Sequence, residues 1–179
     1  MTLAKKNFYR ILLMPELNAI AINTSPLIAL VAAVGNLRLL EFLYDEVWVP
    51  YEVCLEISAG GSTNFAITQF QEATWLKKQT SPLQINPLLL NSLDLGEASV
   101  IQLALNQNFK TVCIDEAVGR RIARLNRLSL TGSIGILLRA KQQNPSLSIR
   151  TAIANMQAHN IRLSQTVIDF ALQQAQEVN

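Results

Sequence analysis

The chain has 179 residues, half of them hydrophobic and 16% charged, with a formal net charge of +2. That length suits one ordinary domain with a sizeable core, and the composition excludes a disordered chain. So small a charge does not require a nucleic-acid partner, although clustering could still build a basic face, and no apolar run approaches the ~20 residues of a membrane span.

The N-terminus, "MTLAKKNFYRILLMPEL", has lysines before a short apolar stretch. Pro15 and Glu16 interrupt that stretch and no small-residue cleavage site follows, which argues against a signal peptide. Met14 offers an alternative start, and residues 1–18 are read as an N-terminal extension. "AIAI", residues 19–22, reads as a short buried strand. It delivers three polar residues together, Asn23, Thr24 and Ser25, and Pro26 then opens a helix that runs to Gly35. The bland reading of "NTSP" is a strand end and a helix cap; the sharper one is the floor of an active site.

"LRLLEFLY" is a second helix, "EVWVP" a strand closed by Pro50, and "YEVCLEIS" a helix stopped by Gly60 and Gly61. Residues 62–93 carry the weakest pattern: "NFAITQFQEA" as helix, "TWLKKQT" as strand, "SPLQINPLLLNS" as a loop with a short helix. In "LGEASVIQLALNQN", Ala98, Ile101 and Leu105, with Val100 and Ala104, repeat at helical spacing. "KTVCID" is a strand ending in an acid, "EAVGRRIARLNR" a helix, "LSLTG" a strand and "SIGILLRAKQQ" a helix. "SIRTAIANMQAHN" and "SQTVIDFALQQAQE" are two more helices. Strands alternating with helices predict an α/β fold, a parallel sheet covered on both faces. Ligands of such sheets bind at the carboxyl ends of the strands, where Asn23 and Asp115 lie.

Each of the few acids has a structural reading beside a chemical one. Asp115 could simply cap the helix that follows it. Asp94 and Glu97 fit a capping box, and Glu52 and Glu56 fit a solvated helix face. Together, acids gathered at one sheet edge would repel one another, and a hard divalent cation relieves that burden. The pattern therefore permits a metal-dependent phosphodiesterase. Arg120, Arg124 and Arg127, with Arg121 beside them, are expected along one helical face just after Asp115, which suits phosphate recognition. Cys54 and Cys113 read as buried free thiols of a reducing cytoplasm, and the single histidine, His159, as a surface residue.

The segments "INTSPLIAL", "LEFLYDEVWVPYEVCLEI", "LDLGEASVIQLAL" and "CIDEAVGRRIARLNRLSLTGSIGILLRAK", in this order, resemble a branch of the PIN-domain family similar to the VapC-type toxin ribonucleases of prokaryotic toxin–antitoxin pairs. The resemblance spans residues 19–160, leaving 161–179 as a C-terminal helix that packs on or extends the domain. It implies a three-layer α/β/α sandwich and Mg²⁺- or Mn²⁺-dependent cleavage of RNA. Carried over, the site is Asn23, Glu56, Glu97 and Asp115, with Asn23, Glu97 and Asp115 on the metal and Thr24 or Ser25 supplying a hydroxyl nearby. Asn23 departs from the pattern, since an aspartate usually stands there. The resemblance also implies a small antitoxin protein as partner and a homodimer; the lack of a membrane-length apolar run and the free thiols lead to the expectation of no membrane and a cytoplasmic location.

Two other classes compete with the nuclease. One is a binding module that keeps the fold and has lost metal binding at Asn23. The other is a small-molecule phosphatase or nucleotide-binding domain, which no phosphate-binding glycine loop supports. The last helix, in which Ile168 and Leu172 share a face with Gln165, is expected either to form an association surface or to pack on the domain itself.

Overall fold

The computed structural model describes residues 18–60 and 64–177. The expected extension over residues 1–18 therefore lies outside the described residues, Asn18 apart, as does the Gly61 stop signal.

Strand β1 (Ala19–Ile22) is buried at every residue, as a strand flanked by layers on both sides must be. Four further strands join it: β2 (Glu46–Val49), β3 (Lys77–Lys78), β4 (Thr111–Cys113) and β5 (Ser129–Thr131). All pair in parallel, in the order β3-β2-β1-β4-β5. The order reverses between β1 and β4, so the crevice at their carboxyl ends is the place where such sheets take ligands.

Ten described helices connect and cover the strands: α1 (Thr24–Val34), α2 (Arg38–Leu43), α3 (Tyr51–Ala59), α4 (Asn64–Glu72), α5 (Pro87–Leu90), α6 (Leu95–Gln107), α7 (Ala117–Leu125), α8 (Ser133–Gln143), α9 (Ile149–Ala158) and α10 (Gln165–Gln174). Helix α1 is apolar almost all round and is buried among α4, α8 and α9. Helix α6 packs on β1 and β4 and against α3 and α7. The result is the three-layer α/β/α sandwich expected, with its core filled by aliphatic residues such as Ile20, Ile22, Leu30, Ile101 and Ile136.

Local expectations fail where tertiary packing overrides them. Leu105, on the helical repeat of α6, is 38% exposed, because the buried stripe ends with Ala104. Cys113 is fully buried, and burial pushes its thiol well above the usual range, but Cys54 is only half-buried. Arg127 lies beyond the end of α7 with φ of 61°, so it does not share a helical face with Arg120 and Arg124. His159 is exposed, against the ring of Phe65.

The last helix docks through its small side: Ala171 and Ala175 are buried, and Ile168 and Leu172 pack partly against the core. Just beyond α10, Glu177 fastens it. Its carboxylate accepts from Lys141 Nζ (2.7 Å), Ser148 Oγ (3.2 Å) and the amides of Ile149 (2.9 Å) and Arg150 (2.8 Å). Those amides open α9, where the helix dipole also favours an anion. Burial would raise the carboxyl; the Lys141 bond, the two amides and Ser148 outweigh it and bring it from 4.5 to about 2. A depressed acid stabilises the fold above its ordinary value and ceases to do so as pH falls through its folded one. Glu177→Gln should therefore lower the melting temperature near pH 7, with the difference from wild type shrinking between pH 4.5 and about 2. Thermal melts across that range check it.

Candidate active site at the carboxyl edge of the sheet

The site begins with one backbone bond. The Asn23 N–H donates to Cys113 O at 3.0 Å, carrying the β1–β4 ladder one residue past β1. Asn23 is thereby held level with the end of β4, from which Asp115 and Glu116 follow. Its backbone is extended and serves as the N-cap of α1, but its side chain makes no capping bond. Asn23 is 3% exposed, and its Oδ1 has no hydrogen-bond partner. The bland reading of "NTSP" is thus true of the backbone and fails for the side chain.

The next two side chains also turn to acids. Thr24 Oγ1 donates to Glu56 Oε2 at 2.6 Å, and Ser25 Oγ donates to Glu116 Oε1. Glu56 is exposed on α3 and is drawn to the edge by that hydroxyl. Glu52, one turn earlier, does not share a solvated face with it. Glu52 is buried and accepts from the Leu83 amide at 3.1 Å.

Helix α6 enters from the other side. Asp94 is its N-cap, accepting from the Glu97 amide at 2.7 Å, as the capping-box spacing predicts. Glu97 is 5% exposed and its Oε1 is unpartnered. Burial pushes its carboxyl up, with Asp94 and Glu116 adding to the rise and the amides of Asp94 and Gly119 opposing it. Two glycines make this crowding possible. A Cβ on Gly96 would sit 3.0 Å from Asn23 Oδ1, 3.1 Å from Glu56 Oε2 and 3.4 Å from Asp94 Oδ1, so three oxygens border one point. A Cβ on Gly119 would come within 2.4 Å of Glu97 Oε1.

Asp115 does not cap its own helix. The N-cap of α7 is Glu116, and Asp115 Oδ1 instead accepts from the Ser133 amide at 2.8 Å, at the start of α8. As a residue Asp115 is exposed, yet a Cβ on Gly132 would come within 2.4 Å of this oxygen, and burial pushes the carboxyl up. Ser133 opposes the rise, Glu116 adds to it and Arg120 opposes it. Arg120 is not on a free basic face. Its Nη1 donates to Ile114 O (2.8 Å) and Thr131 O (3.1 Å), clamping the ends of β4 and β5. Arg121, Arg124 and Arg127 are exposed at the surface.

Asn23, Thr24, Ser25, Glu56, Glu97 and Asp115 thus all reach the same edge, whereas the four arginines separate into one structural clamp and three surface cations. Sequence reasoning missed Glu116. The doubled acid in "DEAVGRR" was its signal, and Glu116 Oε2 is a further buried oxygen without a partner. A cleft of about 700 Å³ opens beside these groups, with Ser25, Asp115 and Glu116 on one side and residues 161–170 supplying part of the other.

Among the described residues no three His, Cys, Asp or Glu side chains form a ready metal cage. The donor set still fits a hard cation. The unpartnered oxygens of Asn23, Glu97 and Glu116 are all hard donors, and one of them is an amide. Mg²⁺ also needs only one or two carboxylates, because it keeps several waters.

A parallel α/β/α domain with an acidic crevice at its switch point is the class these observations define. A family model described as a PIN domain matches residues 19–177, and the chain belongs to the PIN-domain family. The match continues past residue 160 and takes in α10. No curated protein and no solved structure matches the chain. Membership points in general terms to a nuclease-type function on RNA with a divalent metal, without identifying the metal. No helix among the described residues is long and apolar enough to cross a membrane.

A raised acid destabilises the fold while it is charged, so its contribution improves as pH falls from its folded value towards its ordinary one. Glu97→Gln should therefore raise the melting temperature of metal-free protein near pH 7. The gain should shrink as pH falls towards 4.5, where the wild-type carboxyl becomes neutral as well. Calorimetry in EDTA measures both.

Proposed function

We propose that the protein is a metal-dependent endoribonuclease using Mg²⁺ or Mn²⁺, and that it is the toxin of a toxin–antitoxin pair. The partners on this reading are RNA, a small antitoxin protein and a second copy of the chain, in the cytoplasm. The observation that carries the nuclease reading is the set of unpartnered buried oxygens at one sheet edge: Asn23 Oδ1, Glu97 Oε1 and Glu116 Oε2. Buried polar atoms are almost always paired, so each orphan asks for an explanation. Glu52 Oε2 on α3 and Gln69 Oε1 on α4 are also unpartnered, but the other three gather around the ends of β1 and β4.

Asn23, Glu97 and Asp115 would hold the cation, with the unpartnered Glu116 Oε2 beside them. The cation supplies an activated water and draws in phosphate oxygens. The chain's own groups prepare for both. Thr24 and Ser25 donate to Glu56 and Glu116 and fix where those carboxylates point. The Arg120 charge beside Asp115 favours its ionised form. Arg121 and Arg124, exposed on the helix that starts from the site, suit phosphate contacts. Purified protein, free of any antitoxin, should cleave a mixed RNA pool with Mn²⁺ or Mg²⁺ and not with EDTA. Persistent inactivity with either metal in excess sinks the nuclease and leaves the binding module.

Asn23 makes the metal reading testable without turnover. Asn23→Asp replaces a neutral oxygen by a charged one among other acids, so it should destabilise the metal-free protein. Metal binds only the folded site and should recover that loss. The variant should show a larger metal-induced rise in melting temperature than wild type, and faster cleavage, and Asp115→Asn in the same background should remove both. An equal metal response in the two proteins would mean that Asn23 does not face a metal.

Arg121→Ala with Arg124→Ala should weaken RNA binding about equally across sequences. For every phosphate that either arginine neutralises, the slope of log K against log salt should fall by about 0.7 on single strands. An unchanged slope assigns both to a solvated surface.

A further inference from the structure

The wall of the cleft that faces the acids carries side chains that neither the fold nor the metal site uses. Phe170 is 53% exposed and Val167 38%, although α10 has a buried side available and fills it with Ala171, with Ala175 buried just past its end. The two exposed residues are three apart, so they present one continuous helical face to the cleft. Arg162, exposed in the segment before α10, lines the same cleft and makes no ion pair among the described residues. Phe170 also borders a second hollow of about 430 Å³, so its ring stands on the ridge between the two.

We propose that Phe170 and Arg162 form a nucleotide subsite of the cleft, in which a base of single-stranded RNA stacks on Phe170 and an adjoining phosphate meets Arg162. The proposal rests on the ribonuclease reading of the acidic edge and adds how the strand is held there. A nucleotide has the chemistry this cleft offers: an apolar flat face for the aromatic wall and an anion for the arginine. Stacking of this kind tolerates any base, because every base has a π-face. The ridge position of Phe170 lets a strand continue from one hollow into the next.

The test uses the full chain carrying Glu97→Gln to prevent turnover, with Mn²⁺ present and short single-stranded RNA labelled with 2-aminopurine as probe. Binding should quench the probe. Phe170→Ala should abolish the quench and weaken binding roughly 5- to 150-fold, the range of base–aromatic stacking. Phe170→Trp should restore both, which separates stacking from simple loss of fold. Arg162→Ala should leave the quench and reduce the salt slope by about 0.7. Quenching and affinity unchanged in Phe170→Ala, in a protein whose unmutated form cleaves RNA, would overturn the subsite and leave the nuclease standing. Neither cleavage nor probe binding by the unmutated protein would overturn the nuclease and the subsite with it. Loss of self-association in Phe170→Ala with RNA binding intact would assign this wall to a protein contact and likewise overturn the proposal.

Discussion

The hydrogen bond from the Asn23 amide to Cys113 O, and the β1–β4 register it extends, is the constraint on which the rest of the molecule depends. It joins two segments far apart in sequence and places their carboxyl ends side by side. Because all five strands are parallel, every polar residue delivered at a strand end is delivered to the same edge. The chain needs no dedicated loop to assemble its acids: the sheet does it, and α6 adds Glu97 from above β1 and β4. A slip of one residue between β1 and β4 would turn Ile20 and Ile22 out of one layer and scatter the site together.

That economy has an electrostatic cost. Burial raises the energy of the ionised forms of Glu97 and Asp115; Asp94 and Glu116 add to it at Glu97, and Glu116 at Asp115. The fold answers with partial measures: hydroxyls from Thr24 and Ser25, amides at the starts of α6 and α8, and the Arg120 guanidinium. None of them reaches the orphaned oxygens. Asparagine at position 23 reduces the charge the edge must carry, and on the proposed metal reading it would be a weaker ligand than aspartate.

Most of the architecture was legible because it is written in strong local signals. The β-branched strand of "EVWV", the apolar helix after Pro26 and the repeat in "LGEASVIQLAL" each decide their own conformation. The site was legible in part, since strand ends in a parallel sheet are where acids matter. What the sequence concealed depends on where a side chain goes once neighbours arrive. Arg120 sits in a basic run, but two strand carbonyls within its reach convert it into a clamp. Asp115 precedes a helix that it could cap, and instead it accepts from the first amide of another, brought near by β5. Glu116 was masked by its neighbour: of two adjacent acids, only the packing of Ser25 shows that both turn to the edge.

The edges of the sheet carry a consequence of their own. β3 contributes two residues, both lysine, and β5 only three. An open edge is a template for pairing with another chain, and proteins blunt it by shortening the strand or charging it. Here one edge is both short and cationic and the other is short. A second molecule therefore finds little backbone to continue, and strand-to-strand polymerisation is disfavoured from either side.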